Sequence, residues 1–388
     1  MGVVPWELRL RSERIVTPAG VTAGEVAVRE GRIVALRTGA AGLSHPGAGE
    51  RVDLGDAWLL PGMIDGHVHG GDGGRAESAD PDELVAMAEL HARHGTTGLL
   101  PTLVPAPAQE LLAALGAIAP ARDRAPQILG THLEGPFLSP SRAGALDPGA
   151  MRTPDLTLMN RLLSVPGADV RMMTIAPELP GALALIARLA AAGRLASLGH
   201  SAATSTEVRA AVRAGARSVT HLFNAMSSLH HREPGLVGEA LDCPRLSCEL
   251  IADGRHVAPG VLRIALRAAG SSRIRLVTDA IAATGRPDGE YRLGHTTVAV
   301  HDGVTRSAAT GRLAGSTLTM DAALRAAVEL LGLEVAEAAA LASTHPARAL
   351  GLDRKGAIAP GYDADLTVLD DDLSVRATLI GGRWVHGP

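Results

Sequence analysis

The chain has 388 residues, of which 46% are hydrophobic and 20% charged. That length suits one large barrel with an added small domain, or two average domains, and the composition excludes general disorder. Its 37 basic and 41 acidic residues leave a net charge of −4 without any basic block, which excludes nucleic acid as the expected partner.

Met1 to Leu10 already contains Glu7 and Arg9, a poor match to a secretory signal. From Trp6 to about Trp58 the chain alternates apolar and polar residues in short pieces such as Glu25-Val-Ala-Val-Arg29 and Arg32-Ile-Val-Ala-Leu36, separated by glycine. Period-two alternation with glycine turns predicts antiparallel hairpins. Ala364-Asp-Leu-Thr-Val-Leu369 and Ala377-Thr-Leu-Ile-Gly381, near the other end, have the same character. Both ends are therefore expected to build one small β-sandwich domain, from residues 1–60 and 355–388.

Residues 61–354 change pattern. Short apolar runs alternate with Ala/Leu-rich helical stretches, the signature of repeated βα units. The runs are Gly62–Asp65, Thr97–Leu100, Gln127–Gly130, Val170–Ile175, Leu195–Leu198, Ser218–Thr220, Cys248–Ile251 and Ile274–Val277. Among the helices between them, Asp80 to His94 opens on an Asp-Pro cap, and Leu179 to Ala192 and Thr204 to Ala214 each end near glycine. Eight strands with long crossovers predict an α/β fold, a closed (β/α)8 TIM-type barrel, with an open doubly wound sheet as the alternative.

The polar residues that follow these runs favour the barrel. His67 and His69 follow the first, His132 and Glu134 the third, His200 the fifth, His221 the sixth, Asp253 and His256 the seventh and Asp279 the eighth. In a barrel all of them converge on the carboxyl-end mouth. Imidazoles with a carboxylate suit a borderline divalent ion such as Zn2+, with Fe2+, Mn2+ or Co2+ also compatible, as one or two ions. His67 and His69 are two apart on a strand and so face the same side. Lys355 is the only lysine, so no carboxylated lysine can bridge metals inside the barrel, and Glu134 is left as the carboxylate. His45, His91, His94, His295, His301 and His345 lie in helices, loops or hairpins and are read as structural. His230 and His231 stay open.

Cys243 and Cys248 match neither a zinc ribbon nor a disulfide framework and read as inert thiols in a reducing compartment. Arginine interrupts every Ala/Leu-rich run before the ~18 apolar residues that a membrane span needs. The expected location is the cytoplasm, with no membrane partner.

Ten segments carry a resemblance. They are Pro61–Gly70, His94–Thr97, His132–Phe137, Thr174–Glu178, Leu198–Ser201, His221–Met226, Arg232–Gly235, Ile251–His256, Val277–Ala280 and Leu313–Met320. On these the chain resembles the N-acetylglucosamine-6-phosphate deacetylases of the amidohydrolase superfamily over nearly its whole length. The resemblance implies Glu134, His200 and His221 as ligands of the principal metal, and His67 and His69 as holders of a second. It implies Asp279 as the general acid/base. Asn224, Ala225, Arg232 and His256 are implied around a sugar phosphate, with Ala145 and Leu313, Ala314 and Gly315 also beside the substrate, and a homodimer is implied as the assembly. The expected reaction is hydrolysis of an N-acetyl amide, through a metal-activated water and a proton shuttled by Asp279. Arg232 suits the phosphate because its planar fork donates two parallel hydrogen bonds. The rivals are hydrolysis of another N-acyl amino sugar or N-acyl amino acid, and a silent sugar-phosphate-binding regulator. Gly144-Ala145-Leu146 departs from the family pattern, in which a histidine stands at the position of Leu146.

Overall fold

The computed structural model describes residues 6–39 and 49–388; His45 and Met1–Pro5 lie outside the described residues. Eight parallel strands, β1 (Met63–Val68), β2 (Thr96–Leu103), β3 (Thr131–Glu134), β4 (Val170–Ile175), β5 (Leu195–Leu198), β6 (Ser218–Val219), β7 (Ser247–Leu250) and β8 (Ile274–Leu276), pair in chain order. Each is followed by a helix: α1 (Pro81–Arg93), α2 (Ala108–Arg124), α3 (Leu156–Leu163), α4 (Ala182–Ala191), α5 (Ser205–Ala214), α6 (Gly235–Asp242), α7 (Pro259–Ala269) and α8 (Met320–Leu331). Local chemistry sets the helix starts. Asp80 accepts from the Asp82 amide ahead of α1, and Thr204 with Glu207 forms a capping box on α5.

This is the (β/α)8 barrel that the sequence predicts. It closes without a full ladder between β8 and β1: Val68 bridges to Ala280, the Asp279 amide donates to the His67 carbonyl at 2.9 Å, and the His69 amide donates to the Ala280 carbonyl at 2.7 Å. The third strand lies later than its apolar run suggests. Gln127–Gly130 contributes only an isolated bridge from Ile128 to Leu99, and the strand itself contains His132 and Glu134. Barrel strands alternate inward and outward, and this interior accepts polar side chains, so hydrophobicity alone misplaces the strand.

The main apolar core lies between the outer face of the barrel and the helices, with Leu84, Ile118, Ile186 and Leu324 among its fully buried members. The small β domain joins both ends of the chain. Leu366–Leu369 pairs antiparallel with Trp58–Pro61, which pairs with Leu8–Thr17. Its eight strands are hydrogen-bonded in one sheet that branches at Leu8–Thr17, over a separate core that includes Leu10, Ile33, Leu59 and Leu366. After β8 a three-stranded antiparallel sheet, Gly289–Leu293, Thr296–His301 and Val304–Ser307, contributes Leu293, Val298 and Val300 to an apolar cluster shared with Leu138, Leu146 and Ala314. This cluster forms one side of the mouth.

Candidate active site

Two trios of side chains meet at the carboxyl ends of the strands, His67, His69 and Asp279 in one and Glu134, His200 and His221 in the other, all six buried. Glu134 Oε1 lies 3.0 Å from His200 Nε2 and 2.9 Å from His221 Nε2, and its Oε2 lies 3.4 Å from His69 Nε2. Asp279 Oδ1 is 3.1 Å from His69 Nε2 and 3.5 Å from His67 Nε2. One carboxylate thus faces both trios, and the other stands at the barrel seam.

The donor set fits a cation on its hydrogen bonding alone. His69 Nδ1 meets the Thr102 carbonyl at 2.9 Å, His200 Nδ1 the Arg142 carbonyl at 2.9 Å, and His67 Nδ1 the Glu249 carboxylate at 3.1 Å. A carbonyl or carboxylate oxygen can only accept, so each Nδ1 carries the proton and each neutral Nε2 points a lone pair inward. His67 Nε2 and His69 Nε2 are 3.1 Å apart, as are His200 Nε2 and His221 Nε2. Lone pairs opposed at that distance, as at His67 and His69, call for a shared positive charge, and imidazoles with outer partners of this kind are typical metal ligands. The ionisation of the site points the same way. Burial raises Glu134 and Asp279, but positive charge at the imidazole positions, His67 foremost, holds Glu134 well below the usual carboxylate range and Asp279 at about 2, and the same carboxylates raise His67 and His69, so the site is built around positive charge that protons or a cation supply.

These positions carry backbone strain. His200, His221 and Asp279 all have positive φ, at 45°, 28° and 54°, and so do Phe223 and Ala225. For non-glycine residues such conformations cost about 1–3 kcal/mol each and persist where the surrounding structure imposes them. Glu178 helps to impose one, accepting from Ser201 Oγ at 2.7 Å and from the Ala202 amide at 2.6 Å directly after His200.

Beside the trios lies a cavity of about 350 Å³. Of the residues expected around the substrate, Ala145, Asn224, Ala225, His256, Leu313 and Gly315 line it, together with Asp279 and Leu146. Two of the expected residues do not line this cavity within one chain. Ala314 is buried in the apolar cluster, its amide donating to the Thr305 carbonyl at 3.3 Å next to the bridge from Leu313 to Arg306. Arg232 does not line the cavity: it is exposed and its NH1 group lies 2.8 Å from His231 Nε2. His230 and His231 stack on each other at 4.2 Å in the same exposed loop, also away from the cavity. His132 takes the opposite course, turning into the barrel, where its Nε2 pairs with Thr174 Oγ1 at 2.8 Å.

His256 Nδ1 donates to Asp253 Oδ2 at 2.7 Å. Burial lowers its pKa, but the Asp253 contact outweighs burial and raises it above the ordinary value. Sequence reasoning missed two further cations of the cavity wall, Arg142 and Arg312. Only their loop positions, one on each side of the mouth, could have pointed to them. The histidines read as structural are engaged elsewhere: His91 Nε2 bonds the Gly70 carbonyl at 3.0 Å, His94 faces Asp321 at 3.2 Å, and His345 Nδ1 bonds the Ile274 carbonyl at 3.0 Å.

A parallel barrel with histidines and carboxylates gathered at its carboxyl end defines a metal-dependent hydrolase. The model of the Amidohydrolase family matches residues 58–385, and that of the Allantoinase composite domain matches residues 9–57. The chain is 44% identical over 333 residues to the N-acetylgalactosamine-6-phosphate deacetylase of Escherichia coli O157:H7, covering 84% of this chain and 88% of that protein. It is 41% identical to the human N-acetylglucosamine-6-phosphate deacetylase, covering 87% and 86%. Among solved structures, a mutant N-acetyl-D-glucosamine-6-phosphate deacetylase from Mycobacterium smegmatis, in complex with N-acetyl-D-glucosamine-6-phosphate, superposes with a TM-score of 0.93 at 42% identity, covering 98% of this chain and 100% of that one. The chain belongs to the amidohydrolase family, in the branch of the N-acetylglucosamine-6-phosphate deacetylases.

Proposed function

We propose that this chain hydrolyses the N-acetyl amide of N-acetylglucosamine 6-phosphate, releasing acetate and glucosamine 6-phosphate. The observation that carries this reading is the pair of donor trios, one with Glu134 and the other with Asp279, facing each other on the wall of one cavity. Glu134, His200 and His221 would hold one divalent ion, and His67 and His69 with Asp279 would hold a second, Zn2+ being favoured by the imidazole and carboxylate donors. A divalent ion there would supply Lewis acidity to the amide carbonyl and would lower the pKa of water enough for attack near neutral pH. The Asp279 carboxylate takes the proton of the attacking water and returns it to the departing amine, which must leave protonated. His256, Arg142 and Arg312 supply positive charge for the phosphate from within one chain, and Asn224, Ala225, Ala145, Leu313 and Gly315 shape the sugar site.

Arg232 and the exposed Leu229 share the loop that follows Asn224 and Ala225, and this surface supports a homodimer in which Arg232 approaches a neighbouring cavity. A cytoplasmic location completes the reading, supported by Cys243 and Cys248 being free thiols. No helix among the described residues is long and apolar enough to cross a membrane. The smaller core, whose buried members all come from residues 8–59 and 358–379, supports the division into residues 1–60 with 355–388 and residues 61–354, with Val16, Leu60, Leu369 and Leu373 packing across it onto the barrel core.

A second reading, N-acetylgalactosamine 6-phosphate as the preferred substrate, is favoured by the 44% identity to the E. coli enzyme and by Leu146, which places an aliphatic side chain on the cavity wall. An acetate-release assay of metal-replete protein on both phosphorylated sugars, and on both without the phosphate, separates the readings. Acetate from neither phosphorylated sugar would refute both.

A further inference from the structure

We propose that Glu249 is a positioning residue of the metal centre, whose carboxylate fixes the His67 ring and the His221 backbone together, with Arg275 as the buried counter-ion that keeps it in place. The proposal rests on reading His67 as a metal ligand. Glu249 on β7 and Arg275 on β8 are register partners, 0% and 1% exposed inside the barrel. Glu249 Oε2 accepts from His67 Nδ1 at 3.1 Å and from the His221 amide at 3.3 Å, so one oxygen touches a member of each trio. The backbone repeats the connection, with the Leu222 amide donating to the Glu249 carbonyl at 2.9 Å. Oε1 points the other way, 3.5 Å from the Arg275 NH2 group, which itself donates to Ser218 Oγ. Gly66 on β1 looks onto this pair: a Cβ there would stand 3.8 Å from Arg275 NH1 and 3.9 Å from Glu249 Oε1.

A salt bridge that served stability alone would turn both carboxylate oxygens to the guanidinium fork. Here Oε2 is given to the two histidines, while Oε1 meets Arg275 only as an ion pair, and Oε1, Arg275 Nε and Arg275 NH1 have no hydrogen-bond partner among the described residues. An ionised carboxylate behind an imidazole also makes the coordinating nitrogen more basic than a neutral acceptor does, and it fixes the tautomer. His69 and His200 rely on backbone carbonyls for that purpose; His67 is the ring that has a carboxylate. Burying that charge in the barrel interior requires an opposite charge beside it, and Arg275 provides one.

The test uses full-length protein loaded with Zn2+, compared as wild type, Glu249→Gln, the double variant Glu249→Met with Arg275→Met, and His67→Ala. Affinity and stoichiometry for Zn2+ are read by chelator competition, folding by thermal melting, and the His67 tautomer by nitrogen NMR of the ring. Outer partners of metal-bound histidines commonly change affinity by about 10–100-fold, and a loss in that range is expected in both Glu249 variants. The double variant, with no buried charge left unpaired, is expected to melt near wild type while still binding weakly, which separates positioning from stability. Folded Glu249 variants that bind Zn2+ like wild type, while His67→Ala weakens it, would overturn the proposal. If His67→Ala binds Zn2+ normally, the ligand reading fails and takes the proposal with it. Wild type also tests it without any substitution: a His67 ring protonated on Nε2 rather than Nδ1 would sink it.

Discussion

The two donor trios and the cavity wall facing them, proposed as the metal half and the sugar half of the barrel mouth, are held by different means. His67 and Glu134 lie inside strands, and His200, His221 and Asp279 lie at or just after strand ends, each buried. The cavity wall opposite is built from loops, and its cations Arg142 and Arg312 lie at least partly exposed. Groups that need tight geometry stand on the scaffold, and groups that choose the substrate stand on connections that can vary. The two halves should therefore respond differently to substitution.

The largest effect is expected on the scaffold side. His221→Ala or His200→Ala should lower the metal content of purified protein and abolish acetate release, and full retention of metal in both would break the assignment of that trio. Asp279→Asn should come next, keeping metal and fold but losing the ~10²–10⁴-fold that a general acid/base commonly contributes. Near-native turnover would show that another group moves the proton.

Effects on the loop side should be smaller and confined to the phosphate. Arg312→Ala should raise KM for a phosphorylated sugar about tenfold, roughly 1.5 kcal/mol for one charge-assisted hydrogen bond, and leave the unphosphorylated sugar unaffected. Arg232→Ala sharpens the comparison through protein concentration. If Arg232 serves a neighbouring subunit, its loss should matter in the dimer and disappear on dilution to monomer, whereas equal losses on both sugars would make it structural.

The smallest effect should be a pH dependence. The folded pKa of His256 is raised by Asp253, so its positive charge, and the stability that the contact contributes, are complete below the ordinary histidine value of ~6.5. Both are lost as pH rises through the raised folded value. KM for the phosphorylated sugar should therefore climb above neutrality, and Asp253→Asn should move that climb to lower pH. A KM that is flat across this range in wild type would remove His256 from the phosphate site.

Much of this was legible before any coordinates, for identifiable reasons. A barrel sends every strand end to one mouth, so His67, His69, Glu134, His200, His221 and Asp279 could be gathered from positions more than two hundred residues apart. The small β domain was visible in the alternation at both ends. Arg142 and Arg312 were not legible, because nothing in a loop's composition states which way an arginine turns. Glu249 and Arg275 were missed for another reason: each interrupts an apolar run, and only the strand register shows that the two meet inside the barrel.

What the amino-acid order determined by itself was the periodicity, and with it the βα repeat, the histidines and carboxylates that follow its strands and the absence of a bridging lysine. Tertiary structure decided the rest. It put the His69 and His200 Nδ1 atoms against carbonyls, packed the His132 ring against His67 with its Nε2 on Thr174, left Arg232 in solvent and turned Glu134 of one trio toward His69 of the other. The division has a physical cause. Strand and helix formation depend on near neighbours whose spacing is written in the chain, whereas the direction of a single side chain depends on groups brought beside it from distant segments by the closing of the barrel.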